Sequence, residues 1–146
     1  MVKVGIISIG DELLNGFTVD SNSSYIAEQI YSYDQLDVVS KVTVKDDVED
    51  IKFSLESHIQ KDFNILFLTG GLGPTHDDIT RQALCDFCDS SLVLYKPYYL
   101  KLKEYFKNKK IENSTYLKSQ SMVLDSSKPI VNKNGHLVGM VHSVHS

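Results

Sequence analysis

No run of apolar residues in the 146-residue chain approaches the roughly 20 needed to cross a bilayer. Val2 to Ile7 enters a strand-like segment directly, without a charged leader and a cleavable apolar region, so a soluble, cytoplasmic protein with no membrane partner is expected. Cysteine is scarce. Cys85 and Cys88 are too few, and too close together, to form a disulfide framework. Positive charge is also in deficit, with 15 Lys and Arg against 19 Asp and Glu and a net charge of −4. Nucleic-acid surfaces usually need a clustered basic face, so no nucleic-acid partner is expected and any bound anion must be held by local geometry. Internal repeats, low-complexity tracts and Gly/Ser/Pro linkers are missing too, and residues 1–146 read as a single domain. Against these absences, 42% hydrophobic and 23% charged residues are ordinary globular usage, enough to bury one core.

The order of elements carries the fold. Val2 to Ile9 is a β-branched apolar run that suits a strand buried on both faces. Asp20 or Ser21 can cap a helix over residues 22–32, with Ile26, Ile30 and Tyr33 facing a core. Leu36 to Lys45 reads as a second strand. A helix capped by Asp46 or Asp47 follows, with Val48, Ile51, Leu55 and Ile59 at helical intervals. Asn64 to Thr69 is a third strand. It runs into Gly70-Gly71-Leu72-Gly73-Pro74-Thr75, after which Asp77 and Asp78 open a helix carrying Ile79, Leu84 and Phe87. Three strand-then-helix units predict an α/β, three-layer α/β/α sandwich with a mostly parallel sheet, because parallel neighbours need a crossover. Beyond them the spacing predicts a strand at 92–95, a basic helix from Pro97 to about Lys110, a helix at 114–121, and strands at 129–131 and 137–144.

In open α/β sheets, ligands bind outside the carboxyl ends of the strands. There the first strand ends in Gly10-Asp11-Glu12, the second in Asp46-Asp47, and the third in the run from Thr69 to Asp78. Gly70, Gly71 and Gly73 lack β-carbons, so backbone N–H groups can approach a phosphate, aided by the helix dipole that follows. Acids gathered round a phosphate would repel it unless a divalent cation intervened, and hard cations take carboxylate and phosphate oxygens together. Glycines plus acids therefore suggest metal-assisted phosphate chemistry, in which the metal polarises a phosphoryl oxygen or an Asp orients water.

Plainer roles compete. The glycine run can be a simple tight turn, and Asp46, Asp47, Asp77 and Asp78 can be helix caps worth roughly 1 kcal/mol each. Their coincidence at equivalent strand ends favours function. Neither a Gly-Lys-Ser/Thr phosphate loop nor a Gly-x-Gly-x-x-Gly fingerprint is present. The Cys85 and Cys88 pair falls inside an amphipathic helix, as core or near-surface thiols. His142 and His145 lie in a strand-like or frayed tail, the lysines from Lys101 to Lys110 suit a solvated helix face, and His76 could contact a phosphate, a base or its own loop.

Gly10-Asp11-Glu12-Leu13-Leu14-Asn15-Gly16, Asp20-Ser21-Asn22-Ser23 and Thr69 to Thr80 resemble the molybdopterin-binding domain family that includes MoaB and MogA. Among its branches the wording is most similar to the N-terminal domain of CinA-like competence/damage-inducible proteins. The domain fused to eukaryotic FAD synthase shares Gly-Pro-Thr-His-Asp-Asp. The resemblance is good from Val2 to about Phe87 and thin beyond. It implies a three-layer fold, a glycine loop holding a pterin or nucleotide phosphate, and two acids important in catalysis that match Asp46 and Asp78. It also implies metal-dependent hydrolysis of ADP-ribose, or of FAD, both nucleotide pyrophosphates. On that basis Asp11, Asp46 and Asp78 are expected to hold a divalent cation (Mg, Mn or Co). Gly10, Asn22, Thr69, Gly70, Gly71, Gly73, Thr75 and His76 are expected to contact the ligand. Asp46, Asp78 and Glu12 form the catalytic set, the base being Glu12 or an Asp. Dimers or trimers are implied as well.

The wording departs from the family's at Asn132 to Gly139, which keeps the frame but lacks the Thr, Ala and Pro, and the chain ends at Ser146 ahead of a Leu-Pro-Gly loop. A C-terminally short domain is therefore expected, without nicotinamide mononucleotide deamidation. Three readings stand: a hydrolase of nucleotide pyrophosphates, a non-catalytic pterin- or nucleotide-phosphate-binding module of the molybdenum-cofactor type, and an assembly subunit or truncated remnant.

Overall fold

The computed structural model describes residues 1–73, 75–76, 78–107, 109 and 114–144. They fall into two compact units, Met1–Gly71 with Asp77–Ala83, and Leu72–His76 with Leu84–Ser146.

The first unit is built on β1 (Val2–Ile9), β2 (Leu36–Val44) and β3 (Ile65–Thr69), a parallel sheet in the order β2-β1-β3. Helices α2 (Ser21–Tyr31) and α3 (Val48–Gln60) make the crossovers, and a single turn, α1 (Asp11–Leu14), follows β1. The crossover from β1 to β2 steps one way across the sheet and that from β2 to β3 steps back, so right-handed connections place α2 and α3 on opposite faces. That is why β1 is buried from Val4 to Ile9 whatever the side-chain parity: Val4, Ile6, Ile7 and Ile9 are almost fully covered, together with Ile30 of α2 and Ile51 and Leu55 of α3.

The caps agree with the sequence reading. Asp20 caps α2 through the Ser23 N–H, and Asp47 caps α3 through the N–H groups of Glu49 and Asp50, each bond 3.0 Å long. Two expectations are corrected. Tyr33 lies past the end of α2 and is 62% exposed, because the helix stops at Tyr31 with Ser32 as its C-cap. Asp78 does not open a helix. The next helix, α4 (Thr80–Cys88), starts two residues later, where the Thr80 N–H and hydroxyl bond to the Gly71 and Gly70 carbonyls at 3.1 and 2.8 Å. Asp77 lies outside the described residues.

The second unit contains β4 (Leu92–Leu94), α5 (Lys96–Lys107), α6 (Ser114–Gln120), β5 (Met122–Leu124), β6 (Lys128–Ile130) and β7 (Gly139–Val141). Strands β4 and β5 pair antiparallel, as do β6 and β7. Tyr98, Leu102 and Phe106 recur along one face of α5 and pack with Leu117, Val123 and Val138. Strand β5 was not foreseen, and the strand expected at 137–144 contracts to three residues. Cys85 is buried and Cys88 half-buried, and burial raises both thiols above the usual cysteine range, which makes them poor nucleophiles. His145 lies outside the described residues, while His142 Nδ1 is 3.2 Å from the Ser126 hydroxyl. No helix among the described residues is long and apolar enough to cross a membrane.

Helix α3 sits close on the sheet because Gly5 has no side chain. A β-carbon there would come within 2.8 Å of Leu66 Cδ2, 2.9 Å of His58 Cδ2 and 3.1 Å of Phe63 Cδ1. His58 is fixed in turn, its Nδ1–H donating to the Ser54 carbonyl at 2.7 Å and its Nε2 lying 3.0 Å from the Ser40 hydroxyl. It therefore has little room to yield. Gly5→Ala is expected to cost about 1–3 kcal/mol of folding stability, read as a lowered midpoint in urea denaturation at unchanged slope.

Candidate functional site at the strand ends

In the first unit, the carboxyl ends of β1, β2 and β3 bring together most of the expected residues. Gly10 continues the β1–β2 ladder, its N–H reaching the Val44 carbonyl at 3.1 Å. Just beyond, two carboxylates clasp each other's backbone: the Asp11 N–H donates to Asp46 Oδ2 at 2.9 Å, and the Asp46 N–H lies 3.4 Å from Asp11 Oδ1. Both acids thus belong to one edge of the sheet, held by parallel neighbours whose residues here are 35 apart in sequence.

Across β1, the glycine loop leaves β3 almost against the β1 backbone. A β-carbon on Gly70 would collide with the Ile9 carbonyl oxygen, and one on Gly71 with Thr80 Oγ1. Both residues also have positive φ, 101° and 61°, which only glycine adopts without penalty. Asn22, in the first turn of α2, reaches over to donate its amide to Thr69 Oγ1 at 3.1 Å. Asp78 and Arg81 belong to the same unit. Burial lowers the pKa of the Arg81 guanidinium while the charge of Asp78 raises it, so the two side chains feel each other directly.

Gly73, Thr75 and His76 belong to the second unit, where Gly73 is half-buried and Thr75 and His76 are exposed. Among the described residues, no three His, Cys, Asp or Glu side chains gather closely enough to hold a metal ion. Asp11 and Asp46 offer the hard oxygen donors that a divalent cation takes, so a cation would complete its shell with ligand oxygens and water.

Sequence reasoning missed the support beneath this rim. Ser8 is fully buried in β1 and donates its hydroxyl to Asp20 Oδ2 at 2.6 Å. Ser23, also buried, donates its hydroxyl to the same oxygen at 2.6 Å and its N–H to Oδ1 at 3.0 Å. The legible signal was Ser8 itself, a hydroxyl within an apolar strand that had to find a partner. A cavity of about 120 Å³ opens here, lined by Ile9, Glu12, Asp20, Asn22, Thr69 and Gly70 among others. A larger groove of about 540 Å³ runs between β2 and α3, lined by Val39, Val42, Phe53 and His58, and contains none of the expected site residues.

A parallel α/β sheet whose carboxyl edge carries paired acids and a glycine loop defines the class, an α/β domain with its candidate site at the strand ends. A family model described as "Probable molybdopterin binding domain" matches residues 5–145, and the chain belongs to that family. It is 40% identical over 140 residues to a CinA-like protein of Petrotoga mobilis, covering 94% of this chain and 34% of that protein. To a CinA-like protein of Chlorobaculum tepidum it is 35% identical over 140 residues, covering 96% and 33%. The chain spans about a third of the length of the curated relatives it matches. Among solved structures, the CinA protein of Thermoplasma acidophilum superposes with a TM-score of 0.82 at 25% identity, over 97% of this chain and 82% of that one. The tungsten cofactor synthesizing protein MoaB of Pyrococcus furiosus gives 0.58 at 22% identity, over 96% and 80%, a likeness of fold. The fold is accordingly the α/β sandwich of the MoaB and MogA group.

Asp20 makes the rim sensitive to acid. Burial pushes its carboxyl up, but the hydrogen bonds from Ser23 and Ser8 and the charge of Lys41 outweigh it and hold the group below its ordinary 3.8. A carboxyl depressed in the folded state contributes stability above the unfolded pKa and loses it as pH falls through the folded value. Denaturation midpoints of the unaltered chain should therefore fall between about pH 5 and about pH 3 more steeply than those of Asp20→Asn, and parallel curves would refute this account.

Proposed function

We propose that the first unit binds a nucleotide pyrophosphate at the strand ends and hydrolyses it with the help of a divalent cation. The observation that supports this reading best is the Asp11–Asp46 clasp, two carboxylates on one rim whose β1 backbone the glycine loop also touches. Asp11, Asp46 and Asp78 are the residues that would hold a magnesium, manganese or cobalt ion. When bound, the ion would neutralise charge on the phosphoryl oxygens. Backbone N–H groups of Gly70 and Gly71 hold the pyrophosphate, and Asp78 orients the attacking water and takes its proton. The new phosphorus–oxygen bond replaces the bridging one, giving two monophosphate products. In a cell this chemistry belongs to a cytoplasmic protein whose partners are small molecules.

A second reading is a module that grips a phosphorylated pterin or nucleotide without turnover. It is favoured by the lack, among the described residues, of a preformed cluster of three metal-ligating side chains.

One assay separates the two. The purified chain is incubated with each metal and with ADP-ribose or FAD, and products are resolved by chromatography. Release of AMP, lowered about 100-fold or more by Asp78→Asn at an unchanged melting temperature, is the expected result. Ligand binding without AMP release in any metal would leave the binding module.

A further inference from the structure

We propose that the 120 Å³ cavity is a ribose subsite, which takes the 2′,3′-diol of a nucleoside 5′-diphosphate and uses Glu12 to tell ribose from deoxyribose. The proposal rests on the nucleotide reading above and assigns Glu12 to recognition instead of proton transfer. Two acids line the cavity, but their charges are used differently. Asp20 accepts three hydrogen bonds from Ser8 and Ser23, so its charge is satisfied from within the fold. Glu12 is exposed, and its carboxylate forms no hydrogen bond to another described residue. It folds back over Gly10, so close that a β-carbon there would stand 2.6 Å from Oε2 and 2.7 Å from Oε1. Gly10 thus leaves room for Glu12 to turn toward the cavity.

The neighbouring groups complete the pattern. Asn22 gives one amide hydrogen to Thr69 Oγ1, which leaves a second N–H, its own carbonyl oxygen and the Thr69 hydroxyl proton for a ligand. The mouth therefore offers acceptors on Glu12 and Asn22 beside donors on Asn22 and Thr69. A vicinal diol matches such a set, since each hydroxyl donates once and also accepts, and a carboxylate is the usual partner of ribose hydroxyls in α/β nucleotide sites. Ile9 supplies an apolar wall for the sugar carbons. A phosphate placed here would meet the Glu12 charge head-on. A pterin edge would satisfy the carboxylate but leave the Asn22 and Thr69 donors unmatched, at a cost.

The test is calorimetric titration of the full chain, in magnesium, with ADP, 2′-deoxy-ADP and a pterin monophosphate. The unaltered chain should bind ADP roughly 10-fold or more tighter than 2′-deoxy-ADP. Glu12→Ala, checked for an unchanged melting temperature, should bind both nucleotides alike, at the level of the deoxy compound. Equal affinity for the two nucleotides in the unaltered chain, or a preference that survives Glu12→Ala, overturns the subsite and leaves the nucleotide reading standing. Failure of both nucleotides to bind overturns the subsite and the nucleotide reading together. Glu12-dependent binding of the pterin alone reassigns the cavity to that ring and likewise defeats the diol.

Discussion

Everything at the functional edge depends on how closely two stretches of backbone approach each other. The chain leaving β3 passes so near the Ile9 carbonyl that residue 70 has no room for a β-carbon, and the next residue is pressed in the same way against Thr80. Side chains could not mediate that contact. The Thr80 N–H and hydroxyl then bind the carbonyls of the two glycines, so the first turn of α4 is fastened to the loop before it. The positions of Asp78 and Arg81 follow from this fastening. An ordinary strand-to-helix turn would have placed Asp78 as a cap, as its sequence position suggested, whereas here Thr80 does that tethering and the acid is left to face an arginine.

The elements of the first unit were legible because each obeyed one period. Val2 to Ile9 is apolar on both parities, as a strand covered on two faces must be. Val48, Ile51, Leu55 and Ile59 mark one side of a helix, and Asp20 and Asp47 announce helix starts by a mechanism that needs no tertiary context. The second unit was harder. Its strands are three residues long, too short for alternation to declare itself, and Met122-Val123-Leu124 is equally compatible with the end of the preceding helix. Of the site, the acids and glycines were visible as a pattern at strand ends. Their pairing was not, because the bonds that join Asp11 to Asp46, or Asn22 to Thr69, span 35 and 47 residues and depend on sheet order. Asp20 looked like a helix cap and is one, but it also collects a hydroxyl from the centre of the sheet, a role that only the folded neighbourhood of Ser8 reveals.

The acidity of the chain acquires a location. Some of the excess negative charge is satisfied locally by hydrogen bonding, as at Asp20, and some is left on the rim, as at Glu12. The two kinds of carboxylate sit within one small cavity, which shows how little net charge says about the ligand. What matters is which oxygens remain available after the fold has used its share.

The central place of β1 also bears on how the chain assembles. Its residues are synthesised before those of β2 and β3, yet it lies between these two later strands, pairing Val4 with Val38 on one side and with Ile65 on the other. Until residues near 44 have emerged it has no partner, and until those near 69 have emerged it has only one. A nascent apolar strand without neighbours is the species most exposed to aggregation, and parallel pairing at such sequence separations is slow because loop closure comes before any reward. The early helices α2 and α3 can form locally and shade the two faces of β1 during that wait. In chain order, both covering helices precede the strand that completes the sheet.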